Sequence, residues 1–387
     1  MIKTSRADIV TQIGKAVAEP AAADVDKNSR FPAEAIDALR GEGFLSAPVP
    51  EELGGFGCSV TEMASFCEIL GQHCSATAMI FAMHHIQVAS IVRHHGSSAY
   101  LSEYLTRLAK NQFLIASVTS EVGVGGDMRS SCAAVEIRDD LFILNKEATT
   151  ISYGAYADDL LVTARRSPGA PPNDQVLTLV HKADYTLEQT SNWDTMGMRG
   201  TCSPGFSLKS QGSVEQILPA SFAEIATETM VPYSHIVWCS AWTGIAKGAV
   251  AKARHFVRTE ARKKPGIVPP AALRLAEVVS LLQTMQQNVS AICYQYESLL
   301  ASPGGKDALS TIGFALQINN LKIATSQMVV QIVTLALGIC GISGYKNDSP
   351  FSLGRQLRDA HSAALMIAND RILATNASLL LIHKDNG

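Results

Sequence analysis

The sequence lacks an excess of basic charge. Its 387 residues include 32 Lys and Arg against 35 Asp and Glu, which gives a formal net charge of -3. A domain that binds nucleic acid needs a strongly positive surface to neutralise phosphates. We therefore expect no nucleic-acid partner.

Long uninterrupted apolar runs are also missing. The most apolar stretch, residues 328–340, is interrupted by Gln331 and Thr334, and it is shorter than the roughly 20 residues that cross a bilayer. The N-terminus, MIKTSRADIVTQIG, alternates charged and apolar residues and has no apolar core like that of a signal peptide. We expect a cytoplasmic protein without a membrane partner.

Closely spaced cysteine pairs are absent as well. None of the eight cysteines belongs to a CxxC motif, which argues against a zinc ribbon or a dithiol redox site. We expect free thiols in a reducing cytoplasm and no metal site.

Three regions with different sequence patterns follow one another along the chain. Helical periodicity predicts an N-terminal α-helical domain over residues 1–112, and short β-branched runs predict a small β-barrel or sandwich over 113–225. Helical periodicity then returns in four segments and predicts a four-helix bundle over 226–387. The segments cover residues 233–262, 270–300, 311–339 and 351–382. The fold class is thus mainly α with a central β domain, and the 47% hydrophobic content is enough for a sizeable core.

A glycine-rich stretch opens the predicted β domain. The run VTSEVGVGGDMRSS, residues 118–131, resembles the Thr-Glu-Pro-x-Ala-Gly-Ser-Asp signature of the acyl-CoA dehydrogenase family. A glycine-rich turn lets a bulky planar ligand approach the backbone, and a neighbouring hydroxyl can bond the edge of a flavin. The resemblance implies that Ser120, Gly123 and Gly125 contact FAD, and that Gly126, at the family's serine, contacts the substrate.

A second stretch resembles the family's Trp-Ile-Thr-Asn-Gly segment. In ATTISYGAYADDLLVTAR, residues 148–165, Ser152 takes the position of the hydroxyl that bonds flavin N5, and Thr150 replaces the shielding tryptophan. A smaller residue there could open the flavin face to a larger substrate or to oxygen. In WDTMGMRGTCSPGFSL, residues 193–208, Arg199 matches an arginine that we interpret as structural.

A third stretch resembles the family's Gly-Gly-x-Gly-Tyr and Arg-Asp elements. It reads CGISGYKNDSPFSLGRQLRDA, residues 340–360. The resemblance implies that Gly341 and Gly344 hold the FAD pyrophosphate and adenosine across a dimer interface, so we expect a homodimer or a homotetramer. It further assigns Asn369 to the cofactor and Tyr345 to the substrate.

The arginine by which the family grips the pyrophosphate is missing. The corresponding position is Glu260, which lies between Arg258 and Arg262. Either arginine could supply the bidentate fork that an oxyanion requires.

The family's catalytic carboxylate is missing too. Dehydrogenation of a thioester needs a base for the α-proton, and the family's glutamate falls, counting from Arg358, on Ile367. A minority of members place the glutamate on the first bundle helix, where this chain has Ser234 followed by His235. Neither usual base is present, and no carboxylate lies between Asp359 and Asp370.

Other side chains could replace the base. His85 and His235 are the first candidates because histidine titrates near neutral pH, and His361 and Asp370 follow. The backbone N–H of Ile367 could still polarise a thioester carbonyl, since that role needs no side chain.

Three functions remain open. The first is an FAD-dependent acyl-CoA dehydrogenase with a relocated base, an acyl-CoA or carrier-bound thioester as substrate and a flavoprotein as electron acceptor. The second is a flavin-dependent oxygenase that uses O2 on an aromatic or alicyclic CoA ester. The third is a non-catalytic flavin- or acyl-CoA-binding protein, which leaves the hydroxyls of Ser120 and Ser152 unexplained.

Overall fold

The N-terminal part of the chain is helical. The computed structural model describes residues 5–263 and 265–383. Its first six α-helices are α1 (Arg6–Ile13), α2 (Glu19–Lys27), α3 (Ala33–Gly41), α4 (Val60–His73), α5 (Ser75–His94) and α6 (Ala99–Asn111). A capping box at Ser59 and Glu62 starts α4, because the serine hydroxyl and the glutamate carboxylate satisfy backbone N–H groups that have no partner within the helix.

Two small sheets form the central part. The seven strands are β1 (Ile115–Val118), β2 (Glu136–Arg138), β3 (Leu141–Ala148), β4 (Asp159–Arg165), β5 (Gln175–His181), β6 (Tyr185–Gln189) and β7 (Phe206–Ser213). One sheet has the order β1-β4-β5, with β1 parallel to β4, and the other has the antiparallel order β2-β3-β7-β6. Strand β4 is buried along almost its whole length, whereas burial in β3 largely alternates. This difference indicates that β4 is covered on both faces.

The C-terminal part is a helical bundle, as predicted. Its helices are α7 (Phe222–Ile225), α8 (Val231–Lys263), α9 (Ala271–Ala301), α10 (Gly305–Leu309), α11 (Ile312–Cys340), α12 (Ile342–Tyr345), α13 (Gly354–His361) and α14 (Asn369–Leu380). Helix α8 crosses α4 closely at two glycines. A Cβ on Gly71 would lie 2.3 Å from the Ala241 carbonyl oxygen, and one on Gly244 would lie 2.2 Å from that of Glu68. The missing side chains therefore let the N-terminal helices pack tightly on the bundle.

The fourth segment of the bundle differs from the sequence prediction. We expected one helix over residues 351–382, but α13 ends at His361 and α14 begins at Asn369. Between them, Ile367 has a φ of 49°, in the left-handed region that β-branched residues rarely adopt. Periodicity alone could not reveal this break, because the apolar spacing continues across it.

Two helices in the described part of the chain are long and apolar enough to cross a membrane. In α5 the apolar window is 89% buried inside the fold, and in α11 it is 44% buried. This is weak evidence for a membrane span, since core helices pass the same test of length and composition. The free-thiol prediction is confirmed, because all eight cysteines are unpaired.

Candidate active site

The glycine-rich loop between β1 and β2 is shaped by its glycines. Gly123, Gly125 and Gly126 have φ values of 95°, 57° and 80°, a region that favours glycine because other residues place their Cβ against the backbone. Glu121 anchors the end of the loop. Its carboxylate accepts hydrogen bonds from the Ser131 hydroxyl at 2.7 Å and from the N–H groups of Cys132 and Ala133 at 3.1 and 2.5 Å.

A buried lysine supports the same anchor. The Lys146 ammonium lies 3.5 Å from the Glu121 carboxylate, and it donates to the backbone oxygen and the hydroxyl of Thr163 at 2.7 and 2.9 Å. Burial lowers the pKa of Lys146 to about 8, against the opposing effect of Glu121. The pair fixes the loop onto β3 and β4.

The three hydroxyl residues predicted to contact flavin lie on neighbouring segments. The Ser120 hydroxyl donates to the Thr150 carbonyl oxygen at 2.6 Å and accepts from the Thr150 N–H at 3.2 Å, so both of its roles are occupied within the protein. The Ser152 hydroxyl instead accepts from Ser203 at 2.9 Å. Its own proton has no acceptor among the described residues, which leaves it free to bond a ligand.

Ile367 is held by a lysine that the sequence analysis did not identify. The Lys322 ammonium on α11 is inaccessible to solvent and donates to the Ile367 carbonyl oxygen and to Asn369 Oδ1, both at 2.7 Å. The N–H of Ile367 donates to no acceptor in the described part of the chain. Lys322 is the only charged residue of α11, and a single charge in an apolar helix is the signal that could have found it.

An arginine joins the loop to α14. The guanidinium of Arg371 lies against the backbone of Gly126, where a Cβ would be 2.4 Å from Nη1. Its positive charge also helps to lower the pKa of the Asp127 carboxyl, which is hydrogen-bonded to Arg129. The site therefore brings together Gly126 and the segment of Ile367, which the sequence analysis treated separately.

His235 on α8 belongs to the same neighbourhood. Its Nδ1 lies 2.8 Å from the Val231 carbonyl oxygen, while Nε2 has no partner among the described residues. Burial lowers its pKa to about 4, and the charge of Lys322 contributes to this effect. The Trp242 ring of the same helix lies 5.9 Å from the Lys322 ammonium.

His85 lies elsewhere. It is buried on α5 between Phe81 and His84, with ring centroids 4.2 and 4.6 Å away, and neither ring nitrogen has a hydrogen-bond partner among the described residues. Burial lowers its pKa well below the usual value. No contact that the structure describes joins it to Ile367, so its role as a base stays a prediction without geometric support.

The remaining predicted cofactor residues, together with the predicted substrate residue Tyr345, lie at the far end of the bundle. Helix α11 places Cys340 roughly 27 Å from Lys322 along its axis, at about 1.5 Å per residue. Gly341 has a φ of 56° directly after this helix, Gly344 is buried, and Tyr345 is exposed. Arg258 and Arg262 are exposed near the end of α8. Within one chain these residues are not brought together with the serines of the β domain.

The Arg-Asp element connects three parts of the fold. The Arg358 guanidinium pairs with Asp26 and donates to the Met196 carbonyl oxygen at 2.8 Å, while Asp359 accepts from the Met198 N–H at 2.7 Å. Arg199 donates to the Asp26 carbonyl oxygen at 2.9 Å. These bonds agree with the structural interpretation of Arg199.

One group outside this site has metal-ligand chemistry. Ligand atoms of His94, Glu224 and Glu228 lie within 4.8 Å of one another. The Lys306 ammonium, however, lies 3.5 and 3.2 Å from the two carboxylates. A cation of the protein thus already pairs with both carboxylates.

Comparison with known proteins identifies the family. The family model described as "Acyl-CoA dehydrogenase, N-terminal domain" matches residues 5–112, and "Acyl-CoA dehydrogenase, C-terminal domain" matches residues 236–371. Together the two matches cover more than half of the chain.

Similar proteins include a dehydrogenase, a nitrososynthase and a monooxygenase. Cyclohex-1-ene-1-carbonyl-CoA dehydrogenase of Geobacter metallireducens is 26% identical and the match covers 96% of both chains. The amino sugar nitrososynthase DnmZ of Streptomyces peucetius is 25% identical over 89% of this chain and 84% of its own. The FMN-bound structure of TdsC, a dibenzothiophene monooxygenase from Paenibacillus sp. A11-2, has a TM-score of 0.85 at 18% identity and covers 98% of both chains.

Proposed function

Because this chain belongs to the acyl-CoA dehydrogenase family, we propose that it is a flavin-dependent oxidoreductase that acts as a monooxygenase. One observation carries the proposal: where the resemblance places a catalytic carboxylate, the chain has Ile367 in a left-handed conformation, bonded through its carbonyl to the buried ammonium of Lys322. An α-proton cannot leave without a base. Oxygen transfer needs no base at this position.

The charges around Ile367 support the proposal. Lys322 and Arg371 are cations, and the nearby His235 is a weak base because burial lowers its pKa to about 4. Asp370 is exposed in the first turn of α14. Positive groups stabilise negative charge that develops on oxygen, which suits an oxygenated substrate better than it suits proton removal.

The residues of the site fit a flavin. The free hydroxyl of Ser152 and the open backbone at Gly125 would hold the ring system, and the bound flavin would supply the redox chemistry. We propose FAD, with Arg258, Arg262, Gly341 and Gly344 of a second copy holding its pyrophosphate and adenosine in a homodimer or homotetramer. Exposed Ile342 and Tyr345 on α12 are available for such an interface.

The substrate that we propose is an aromatic or alicyclic CoA ester. The exposed Thr150 is small enough to leave room for a ring beside the flavin. One similar protein supports oxygen chemistry by its name, since TdsC is a monooxygenase.

Dehydrogenation is the second candidate. It is favoured by the unpaired Nε2 of His235, which lies on the helix packed against Lys322, and by the name of the Geobacter relative. In this case His235 would be the relocated base, and the electrons would pass from the flavin to an acceptor flavoprotein.

Anaerobic mixing of the flavin-loaded protein with a panel of acyl-CoA esters separates the candidates. We expect no bleaching of the flavin absorbance, followed by an oxygenated product once the flavin has been reduced separately and O2 is admitted. Bleaching by a thioester without O2 would instead identify a dehydrogenase. If the protein binds no flavin on titration, both proposals fail.

A further inference from the structure

The peptide at Ile367 is strained and must be held in place. A left-handed conformation costs about 1–2 kcal/mol for a residue with a Cβ, and a β-branched side chain adds to this cost. The side chain of Ile367 is 38% exposed, so core packing does not compensate for the strain. Its carbonyl, in contrast, receives the hydrogen bond from Lys322 at 2.7 Å.

Lys322 is an unusual residue to bury. No carboxylate of the described residues lies within ion-pairing distance of its ammonium. Its charge is stabilised by the dipoles of the Ile367 carbonyl and the Asn369 side chain and by a cation–π contact with the Trp242 ring. Burial lowers its pKa to about 8. A buried charge without a counter-ion does not stabilise a core, which indicates a role in shaping the loop.

The second acceptor of Lys322 is itself fixed. Asn369 Nδ2 donates to the Ser326 hydroxyl at 3.0 Å, and Ser326 follows Lys322 by one turn on α11. Two residues of one helix therefore hold both Ile367 and the first residue of α14. The geometry leaves the N–H of Ile367 without a partner among the described residues.

We propose that Lys322 is a positioning residue that holds the Ile367 peptide in its left-handed conformation and so keeps the free N–H as a fixed donor to a carbonyl or oxyanion oxygen of the substrate. This inference rests on the proposed function of the site, but not on whether that function is oxygenation or dehydrogenation. Other titratable groups that face Lys322 are His235 and Cys239 of α8, and both are neutral at pH 7 by the direction of their pKa shifts.

The test compares hydrogen exchange in three variants. Lys322→Met keeps the length of the side chain but removes its donors, and we expect about tenfold faster amide exchange across residues 362–372, where Met366 and Arg371 donate to Ser362 and Ala368. The affinity of the flavin-loaded protein for the acyl-CoA ester of the panel that binds most tightly should fall by a similar factor, because the Ile367 N–H would donate to its carbonyl oxygen. Lys252→Met is the matched control, since Lys252 is a partly buried lysine of α8 whose pKa is also lowered to about 8 and which donates to the Ser352 carbonyl oxygen. It should leave exchange at 362–372 unchanged.

The third variant separates positioning from a general loss of stability. In Lys322→Met/Ile367→Gly the left-handed conformation needs no support, so slow exchange and acyl-CoA affinity should largely return. Unchanged exchange at 362–372 in folded Lys322→Met would overturn the inference, and so would a double variant as impaired as the single one. If Lys322→Met does not fold, Asn369→Ala replaces it and should give a smaller acceleration. These measurements require no turnover, so the inference and the proposed reaction can fail independently.

Discussion

The carboxylate of Glu121 and the ammonium of Lys146 lie 3.5 Å apart, with side chains 4% and 0% exposed. The pair stands at the start of the glycine-rich loop, and Glu121 also binds the two backbone N–H groups that close it. The pair therefore links the stability of the β domain to the shape of the loop.

Glu121→Gln should destabilise the protein by about 3 kcal/mol, because it leaves the Lys146 charge buried without a counter-ion. Urea unfolding measures the change in free energy. Glu136→Gln is the control, since its pair with Arg138 is exposed on both sides and contributes less than about 1 kcal/mol. If both substitutions had equally small effects on the free energy of unfolding, Glu121 would not stabilise the buried charge of Lys146.

Gly126→Ser should be more destabilising than Gly125→Ser. Both glycines have a positive φ, but a Cβ meets nothing within 4 Å at Gly125 and meets the Arg371 guanidinium at 2.4 Å at Gly126. We expect a difference of only about 0.5 kcal/mol in urea unfolding, because the guanidinium is the end of a flexible, exposed side chain and can move aside. Adding Arg371→Ala should remove this difference, and a difference that persists in the double variant would contradict the contact.

Ile367→Gly should be more stable than Ile367→Ala by about 1 kcal/mol, because only glycine adopts the left-handed conformation without cost. The same pair of substitutions at Leu373, inside α14 and 47% exposed, provides the control. At Leu373 the alanine variant should be more stable than the glycine variant by a similar amount. If the alanine variant were more stable than the glycine variant at residue 367 as well, residue 367 would not be left-handed in solution.

Stability should fall as the pH decreases from about 6.5 to 4. Burial lowers the pKa of His84 to about 4, so the unfolded chain binds a proton in this range that the folded chain does not. The loss reaches about 3 kcal/mol for this group. His84 accepts from the Ile115 N–H at 3.0 Å and its other ring nitrogen lies 2.6 Å from the Leu45 carbonyl oxygen, which requires the neutral ring.

Urea unfolding of His84→Gln over the same pH range checks this prediction. The variant should show a shallower pH dependence than the wild type, whereas the exposed His361→Gln should follow the wild type. His85, His94 and His235, whose pKa values are also lowered by burial, should supply the dependence that remains. If the free energy of unfolding of His84→Gln depended on pH as steeply as that of the wild type, protonation of His84 would not be linked to unfolding.

Ile367→Glu should create or raise dehydrogenase activity. A carboxylate at this position supplies the base that α-proton removal requires, so anaerobic acyl-CoA should then bleach the flavin. Ile367→Gln introduces a side chain of the same size as glutamate but without a base, so acyl-CoA should not bleach the flavin in this variant. If Ile367→Glu gives no bleaching with any thioester of the panel, residue 367 does not face the substrate α-carbon.

The sequence by itself determined the order of helices, strands and helices, and it located the glycine-rich loop, the two serines and the absence of a carboxylate at residue 367. These features are local: periodicity, turn residues and short motifs reflect the backbone conformation of neighbouring residues. The break between α13 and α14 escaped prediction, because an apolar spacing does not record the φ of a single residue.

Only the tertiary structure decided which distant groups share the site. Lys322 reaches Ile367, Arg371 covers Gly126, and Glu121 meets Lys146. His85 and His235 looked equivalent in the sequence, yet only His235 lies on the helix packed against Lys322. The physical reason is that burial and hydrogen bonding determine the role of a charged or titratable side chain. The residues that bury it and bond to it lie far away in the chain.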